Sequence, residues 1–232
     1  MIPSSPYIDF HTHSEWSGDD TIEVVSLDGN KLKSVRLYTI GYHPWWLDDV
    51  LTADQVLLLK QKYENDKYCL GLGECGLDGL KGPSSSIQEH AFLQQIELAN
   101  SLNAPLVIHC VRAFDRILSI KRKYGSTPWV IHGFVRNKIL AQQVLDAGCF
   151  ISVAPYEQMA PSFLQTLSYI PDDRIFIETD SDFHIGIQER YDILAEIRKC
   201  SVDELKQVIF SNFAKFYSEK WKYHSGLNEQ NS

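Results

Sequence analysis

The stretch Tyr7-Ile8-Asp9-Phe10-His11-Thr12-His13 reads as a buried strand that ends in two histidines. Side chains alternate between the two faces of a strand, so the imidazoles of His11 and His13 are expected on the same face. Two imidazoles side by side at a strand end supply half of a metal site. A simpler interpretation is a strand that carries two histidines beside a loop by chance, and the rest of the chain must decide between them.

Strand and helix patterns alternate along the remaining sequence, about seven or eight times. Buried strands are predicted at 68–73, 105–108, 129–131, 150–153 and 174–178, and helices at 52–63, 86–102, 114–124, 137–147, 162–169, 188–198 and 202–220. With this alternation in a chain of 232 residues, a TIM-like (β/α) barrel is favoured over a doubly wound sheet. Residues 1–225 are expected to form a single domain, followed by a loose tail at 226–232.

The segment between the first strand and the first helix is harder to interpret. Residues 21–27 and 33–40 are predicted as two strands, and Asp28-Gly29-Asn30 as a turn between them. Asp-Gly is a strong hairpin signal, so a β-hairpin is expected here.

Composition sets limits on the class of protein. The chain has 232 residues, of which 44% are hydrophobic, and no apolar run approaches the ~18 residues of a membrane span. Residues 1–6 lack the features of a signal peptide, so a cytoplasmic protein with no membrane contact is expected, and no stable protein partner is implied. The net charge of -8 disfavours a protein that coats duplex DNA, although bound cations would supply local positive charge. The odd number of cysteines indicates free, buried thiols: Cys69, Cys75, Cys110, Cys149 and Cys200.

Ionisable residues recur where the predicted strands end. In a barrel, that rim is where active sites form. Each such residue alone is explained equally well by capping a helix, but the set as a whole indicates a metal site of imidazoles and carboxylates, suited to Zn, Mn, Fe or Mg-like ions. Even six of these seven groups exceed the needs of one tetrahedral ion and suit two ions about 3.5–4 Å apart, with Glu74 as the natural bridge. The set comprises His11, His13, His43, Glu74, His109, His132 and Asp180.

Six short motifs, in order, resemble those of the TatD family of metal-dependent deoxyribonucleases. The resemblance runs from residue 8 to about residue 217, nearly the whole chain. The motifs are Ile8-Asp9-Phe10-His11-Thr12-His13, Gly41-Tyr42-His43-Pro44, Gly73-Glu74-Cys75-Gly76-Leu77-Asp78, Pro105-Leu106-Val107-Ile108-His109-Cys110, Ile131-His132-Gly133-Phe134 and Glu178-Thr179-Asp180-Ser181.

The resemblance implies an amidohydrolase-like TIM barrel and a role for each matching position. His11, His13, Glu74 and Asp180 would hold one ion, and Glu74, His109 and His132 the second. Asp180 would also accept a proton from the attacking water, and His43 would contact phosphate or donate a proton. Asp78 would contact substrate or support its loop. Apart from the resemblance, the aromatic pair Trp45 and Trp46 would stack on a base or sugar, or pack the loop after Pro44.

Three departures from the family pattern bear on these expectations. The span between His13 and His43 is short, so the second β/α unit is expected to be reduced and the barrel distorted or seven-stranded. The basic residue expected two positions after His109, as a substrate contact, comes one position later, as Arg112. Finally, Asp182 replaces a proline, and Asp182-Phe183-His184 resembles a motif of polymerase-and-histidinol-phosphatase phosphoesterases.

The resemblance predicts a two-metal phosphodiesterase acting on DNA ends, with Zn, Mg or Mn as the ions. DNA or a small phosphodiester would be the substrate. Two alternatives keep a metal-dependent hydrolase but change the substrate: an amide, lactone or acyl-sugar, or the substrate of a polymerase-and-histidinol-phosphatase-like phosphoesterase. A non-enzymatic barrel is disfavoured because the ligand set is complete.

Overall fold

The computed structural model describes residues 5–14, 20–32, 36–182, 184–222 and 224. Eight parallel strands form one sheet whose order follows the chain. They are β1 (Tyr7–Thr12), β2 (Thr21–Asp28), β3 (Tyr38–Gly41), β4 (Cys69–Asp78), β5 (Leu106–Val111), β6 (Trp129–Ile131), β7 (Phe150–Val153) and β8 (Ile175–Ile177).

The sheet closes where the chain beyond β8 meets β1. Thr12 and Asp180 form a parallel bridge, in which the Asp180 N–H donates to His11 O at 2.9 Å and the His13 N–H to Asp180 O at 3.2 Å. The result is a TIM-like (β/α) barrel, which confirms the predicted fold class.

Helices follow every strand from β3 onward, as the alternating pattern predicts. They are α1 (Ala53–Asn65), α2 (Ser85–Leu102), α3 (Phe114–Tyr124), α4 (Lys138–Asp146), α5 (Pro161–Tyr169), α6 (Ile187–Arg198), α7 (Val202–Phe216) and α8 (Ser218–Trp221). Thr52 begins α1 and Ser201 begins α7, each with a capping box that satisfies otherwise unpaired backbone N–H groups. The single C-terminal helix predicted at 202–220 is divided at Tyr217 into α7 and α8.

The predicted hairpin between β2 and β3 is wrong. The two strands pair in parallel, with Val25 opposite Tyr38 and Leu27 opposite Ile40. The turn itself forms, because the Asp28 carboxylate accepts the N–H of the residue two positions on at 2.8 Å. A turn signal specifies a local bend, whereas the direction in which the chain re-enters the sheet depends on the barrel.

The second β/α unit is reduced, as predicted, but the barrel keeps eight strands rather than seven. Residues 13–20 connect β1 to β2, and residues 29–37 connect β2 to β3. Within these connections, the described residues 13–14, 20, 29–32 and 36–37 contain no helix. The strand of the unit is therefore retained while its helix is missing from those described positions.

Alternation along β1 separates an aromatic core from a polar barrel interior. Phe10 stacks on Phe176 of β8 at 4.0 Å between ring centroids and contacts Phe216 of α7 at 5.5 Å. Asp9 lies on the opposite face, 2% exposed, where its carboxylate accepts the Thr179 hydroxyl at 2.6 Å. His11 shares that face, so β1 directs its imidazole toward the end of the barrel interior.

The strand predicted at 68–73 is longer in the structure. β4 reaches Asp78, so Glu74 is a mid-strand residue and the loop begins at Gly79. β4 pairs with β5 through Gly76 opposite His109, where a side chain on Gly76 would collide with the His109 carbonyl oxygen. Glycine thus allows the two strands to approach, and the approach brings Glu74 close to His109.

Two expectations from composition can be compared with the structure. All five cysteines are free, and four of them are buried; Cys200 is half-buried. In the described part of the chain, no helix is long and apolar enough to cross a membrane. The tail at 226–232 lies outside the described residues.

Candidate metal centre

Glu74 lies at the centre of the site, 4% exposed, with imidazoles around its carboxylate. Its Oε1 is 2.7 Å from His132 Nε2, 2.8 Å from His109 Nδ1 and 3.0 Å from His43 Nε2. His132 follows β6, His109 lies near the end of β5 and His43 follows β3, and all three are buried. We call His43, His109 and His132 the Oε1 group.

The other carboxylate oxygen of Glu74 faces a second set of side chains. Oε2 is 3.4 Å from His11 Nε2 and 3.7 Å from His13 Nε2. Asp180 completes this set, with its Oδ1 3.2 Å from His13 Nε2 and 3.9 Å from His11 Nε2. We call His11, His13 and Asp180 the Oε2 group. All six residues predicted as metal ligands therefore meet at one carboxylate.

Asp180 owes its position to an unusual backbone conformation. Its φ is 54°, in the left-handed region that aspartate tolerates better than most residues. The two hydrogen bonds between its backbone and β1 hold this turn against the barrel rim. Its carboxylate consequently points back toward His11 and His13.

Two imidazoles of the Oε1 group lie between Glu74 and a second carboxylate. His109 Nε2 is within hydrogen-bond distance of Asp78 Oδ2, at 3.0 Å, whereas His132 Nδ1 lies 3.8 Å from Glu178 Oε1 and has no hydrogen-bond partner among the described residues. The other nitrogen of each ring faces Glu74 Oε1, and burial of His132 is outweighed by Glu74 and Glu178, which raise the pKa of His132 well above its usual range. A divalent ion on the Glu74 side would displace the proton from that nitrogen. The outer nitrogen would then keep its proton toward Asp78 or Glu178, which is the arrangement in which an acidic partner orients a metal-ligating histidine.

His43 has the opposite arrangement. Its Nδ1 accepts the backbone N–H of Trp45 at 3.1 Å. The neutral ring therefore carries its proton on Nε2, which points at Glu74 Oε1. Burial lowers the pKa of His43, although Glu74 opposes this, so the neutral form is favoured. His43 is thus suited to donate a proton or hydrogen bond beside the ligands, rather than to ligate an ion through Nε2.

Electrostatics keep the central carboxylates ionised. Burial alone would raise the pKa of Glu74, but the nearby His132 and the hydrogen bond with His109 hold it well below its usual range. Burial likewise opposes ionisation of Asp180. The hydrogen bond with His13 and the nearby His11 outweigh the effect of burial, so the pKa of Asp180 is also lowered. Both groups present anionic oxygens to the cluster at neutral pH.

The donor set fits divalent cations. His11 Nε2 is buried in the cluster and has no hydrogen-bond partner in the described part of the chain. Three combinations bring ligand atoms within 4.8 Å of one another: His11, Glu74 and His132; His11, His13 and Asp180; and His43, Glu74 and His109. Nitrogen and oxygen donors of this kind suit Zn, Mn or Mg, and a buried carboxylate with a different imidazole set at each oxygen is the shape of a bridging ligand.

Sequence reasoning assigned no role to Glu178. Its side chain is fully buried, its Oε1 accepts the Gly133 N–H at 2.5 Å, and its Oε2 has no partner among the described residues. A signal was available, because Glu178 and Asp180 are two positions apart at the end of β8, just as His11 and His13 are on β1.

The residues predicted to contact substrate occupy different surroundings. The Asp78 carboxylate is buried and accepts hydrogen bonds from Trp45 Nε1 at 2.5 Å and from the N–H groups of Leu80 and Lys81 at 2.7 and 3.0 Å. These contacts favour loop support for Asp78 and loop packing for Trp45. Arg112 is exposed just beyond β5, with φ 52°. Substrate contact by any of the three stays a prediction.

The segment that resembles a phosphoesterase motif points elsewhere. Asp182 pairs with the buried Arg190 at 2.9 Å and accepts the N–H of His184 at 3.1 Å. The His184 side chain is exposed, and Phe183 lies outside the described residues. Asp182 therefore anchors α6 to the rim, and neither it nor His184 belongs to the ligand combinations found in the described chain.

Solved structures share this fold. A TatD homologue from Escherichia coli K12, YJJV, superimposes with a TM-score of 0.73 over 91% of this chain and 98% of that one, at 19% sequence identity. A TatD family hydrolase from Entamoeba histolytica gives a TM-score of 0.71 over 92% and 98% of the two chains, at 16% identity.

Sequence comparisons give the family. The chain is 26% identical over 198 residues to the uncharacterized metal-dependent hydrolase YcfH of Escherichia coli K12, which covers 78% of this chain and 73% of that protein. It is 30% identical over 160 residues to the 3'-5' ssDNA/RNA exonuclease TatD of Musicola paradisiaca, covering 62% and 56% of the two proteins. The family model described as TatD related DNase matches residues 17–218. The chain belongs to the TatD-related DNase family.

Proposed function

We propose that this protein is a metal-dependent hydrolase that uses two divalent ions to cleave phosphodiesters at the ends of single-stranded DNA. The observation that carries the proposal is the position of Glu74, whose two carboxylate oxygens face two different sets of side chains. Relatives named as metal-dependent hydrolases and as a single-strand exonuclease support the reaction class and the substrate.

The ligands divide between the two oxygens of Glu74. His11, His13 and Asp180 would hold one ion with Oε2, and His109 and His132 the other with Oε1. Zn, Mg or Mn would neutralise charge on the phosphate oxygens and lower the pKa of bound water, which is the chemistry that such a pair supplies.

The chain's own residues provide proton transfer on opposite sides of Glu74. Asp180 is ionised and about one-third exposed, so its Oδ1 is available to take a proton from an attacking water. His43 carries a proton on Nε2, 3.0 Å from Glu74 Oε1, and can deliver it to a phosphate or leaving-group oxygen. Asp180 as the base and His43 as the acid would therefore act from opposite sides of Glu74.

The test is a substrate panel on the full chain loaded with Zn, Mg or Mn. A chromogenic phosphodiester and end-labelled single-stranded oligonucleotides should be cleaved, and a chelator should abolish cleavage. Esters, lactones and amides serve as the comparison set. If no phosphodiester is cut with any metal while a carbonyl substrate turns over, the phosphodiesterase proposal fails and a general metal-dependent hydrolase takes its place.

A further inference from the structure

A cleft of about 230 Å³ lies beside Glu74 and the end of β2. Two candidate site histidines line it with Glu74: His13 from the Oε2 group and His43 from the Oε1 group. Lys31 and Trp46 also line it, and these two residues are exposed, whereas Glu74 and His43 are buried. The cleft therefore connects the candidate metal centre to the surface.

The rim of the cleft pairs an exposed aromatic face with a cation. The Trp46 side chain is 48% exposed, although a tryptophan usually buries most of its surface. Lys31 Nζ lies 5.3 Å from the centroid of the Trp46 ring. The centroid of the Trp46 ring lies 4.9 Å from that of the His43 ring, so Trp46 is next to the candidate metal centre. The Trp46 indole and the Lys31 ammonium thus lie next to each other, and His43 lies between the indole and Glu74.

The carboxylate of Asp28, which also lines the cleft, already accepts hydrogen bonds from the backbone. Asp28 Oδ1 accepts the Asn30 N–H at 2.8 Å, and Oδ2 lies 3.5 Å from the His43 N–H. Within the described residues, Lys31 has no ion pair with Asp28 or another acid, and its ammonium lies over the indole. Lys31 is consequently a cation available to an anionic ligand in a chain of net charge -8.

The exposed rim residues come from two neighbouring connections. Lys31 lies on the β2–β3 connection, whose described positions 29–32 and 36–37 contain no helix. Trp46 ends the short turn of 3-10 helix (Pro44–Trp46) that follows β3. The two sides of the rim are therefore supplied by the segments before and after β3.

We infer that this cleft seats the terminal nucleotide of the DNA strand, with its base stacked on Trp46 and a phosphate paired with Lys31. That the ligand is a nucleotide of DNA rests on the proposed function. That a ligand binds at this position, which we call the seat, rests on the cleft and its lining residues. Flat rings of any base stack on an indole, so the seat would be tolerant of sequence. Because the cleft is small, it takes one unit at a strand end rather than a long internal stretch.

The first experiment measures nucleotide binding without turnover. Calorimetry on the metal-loaded full chain compares thymidine 5'-monophosphate with 2-deoxyribose 5-phosphate, which lacks the base. The base should strengthen binding about five- to hundredfold, and Trp46→Ala should remove that advantage while Trp46→Phe retains most of it. Tyr124→Ala, which removes an exposed aromatic ring on α3, should retain it fully.

The same ligands test the cation. Lys31→Met should weaken both ligands by a similar factor, because both carry the phosphate, whereas Lys60→Met on the exposed face of α1 should weaken neither. Equal affinities of the parent for the two ligands, or an advantage of the base that survives Trp46→Ala, would overturn the seat.

A second experiment connects the seat to cleavage. Oligonucleotides that lack the base of the last nucleotide, at either end in turn, are compared with the intact strand. The parent should prefer the intact strand at one end, and Trp46→Ala should abolish that preference in kcat/KM. If nothing is cleaved but the base still strengthens binding through Trp46, the proposed reaction fails and the seat stands. If strands are cleaved with no preference for a terminal base, the seat fails and the reaction stands.

Discussion

The two oxygens of Glu74 face surroundings of opposite character. The Oε1 group is buried and supported from behind: Asp78 faces His109, and Glu178 faces His132. On the Oε2 side, His11 is buried, but the side chains of His13 and Asp180 are 35% and 36% exposed. The Oε1 side is therefore enclosed by protein, whereas two of the three side chains on the Oε2 side reach solvent.

This difference suggests a division of labour between the two halves. Ligands whose rings are already oriented lose little freedom on binding an ion, so the Oε1 side should bind its ion more tightly. The open Oε2 side should bind more weakly and meet the water and substrate directly. Variants on the two sides should therefore fail in different ways.

Glu74→Gln should have the largest effect, because it removes the anionic bridge between the two halves. With both ion sites weakened, turnover should fall about 10⁴-fold or more. Elemental analysis after metal loading should show loss of both ions in a folded protein. Retention of two ions would contradict the bridging role, and Glu97→Gln on the exposed face of α2 is the control.

Asp180→Asn should come next. Asparagine is nearly isosteric, so the turn at φ 54° should survive, while the base and one anionic ligand are lost. Turnover should fall about 10²- to 10⁴-fold, with the tighter ion retained. Steady-state kinetics and metal content measure the two effects. A folded, fully loaded variant within a few-fold of the parent would remove Asp180 from the mechanism; Asp173→Asn is an exposed control.

Asp78→Asn and Glu178→Gln test the supporting carboxylates of the Oε1 side. Each should weaken binding of the tighter ion about 10- to 100-fold and leave the weaker one unchanged. Competition with a metal-binding dye gives both affinities. If either variant changed the weaker ion instead, the assignment of orienting partners to His109 and His132 would be wrong.

Trp45→Phe should have the smallest effect. It removes only the indole N–H that donates to Asp78, whose carboxylate keeps His109 and two backbone donors. One such hydrogen bond contributes about 1 kcal/mol, so its loss should weaken binding of the tighter ion roughly fivefold. A loss as large as that of Asp78→Asn would show that Trp45 does more than support the loop.

Much of the site was accessible from sequence because ligands at parallel strand ends share one rim. His11 and His13 follow from alternation on β1, and the remaining ligands follow from the ends of later strands. Side-chain orientation was not accessible. That the Trp45 backbone N–H donates to His43 Nδ1, whereas Asp78 faces His109 Nε2, depends on loop geometry, and the proposed roles of His43 as proton donor and His109 as ligand rest on this difference.

The β2–β3 segment shows that a local sequence motif can predict a turn without predicting how the flanking strands pair. Asp28-Gly29 forms its turn, yet the strands it joins run parallel because both belong to a closed barrel. β4 shows a similar limit: the predicted strand ends at residue 73, but in the structure β4 continues to Asp78, and Gly76 allows its close approach to β5. In both cases, long-range pairing decided what local sequence left open.

The most direct test of the account is a calorimetric titration of the metal-free full chain with Zn or Mn, repeated on His109→Gln and His13→Gln. The account predicts two ions per chain in two steps of unequal affinity. His109→Gln should remove the tighter step and His13→Gln the weaker one. A single ion in the parent, or loss of the same step in both variants, would contradict a centre divided across the two oxygens of Glu74.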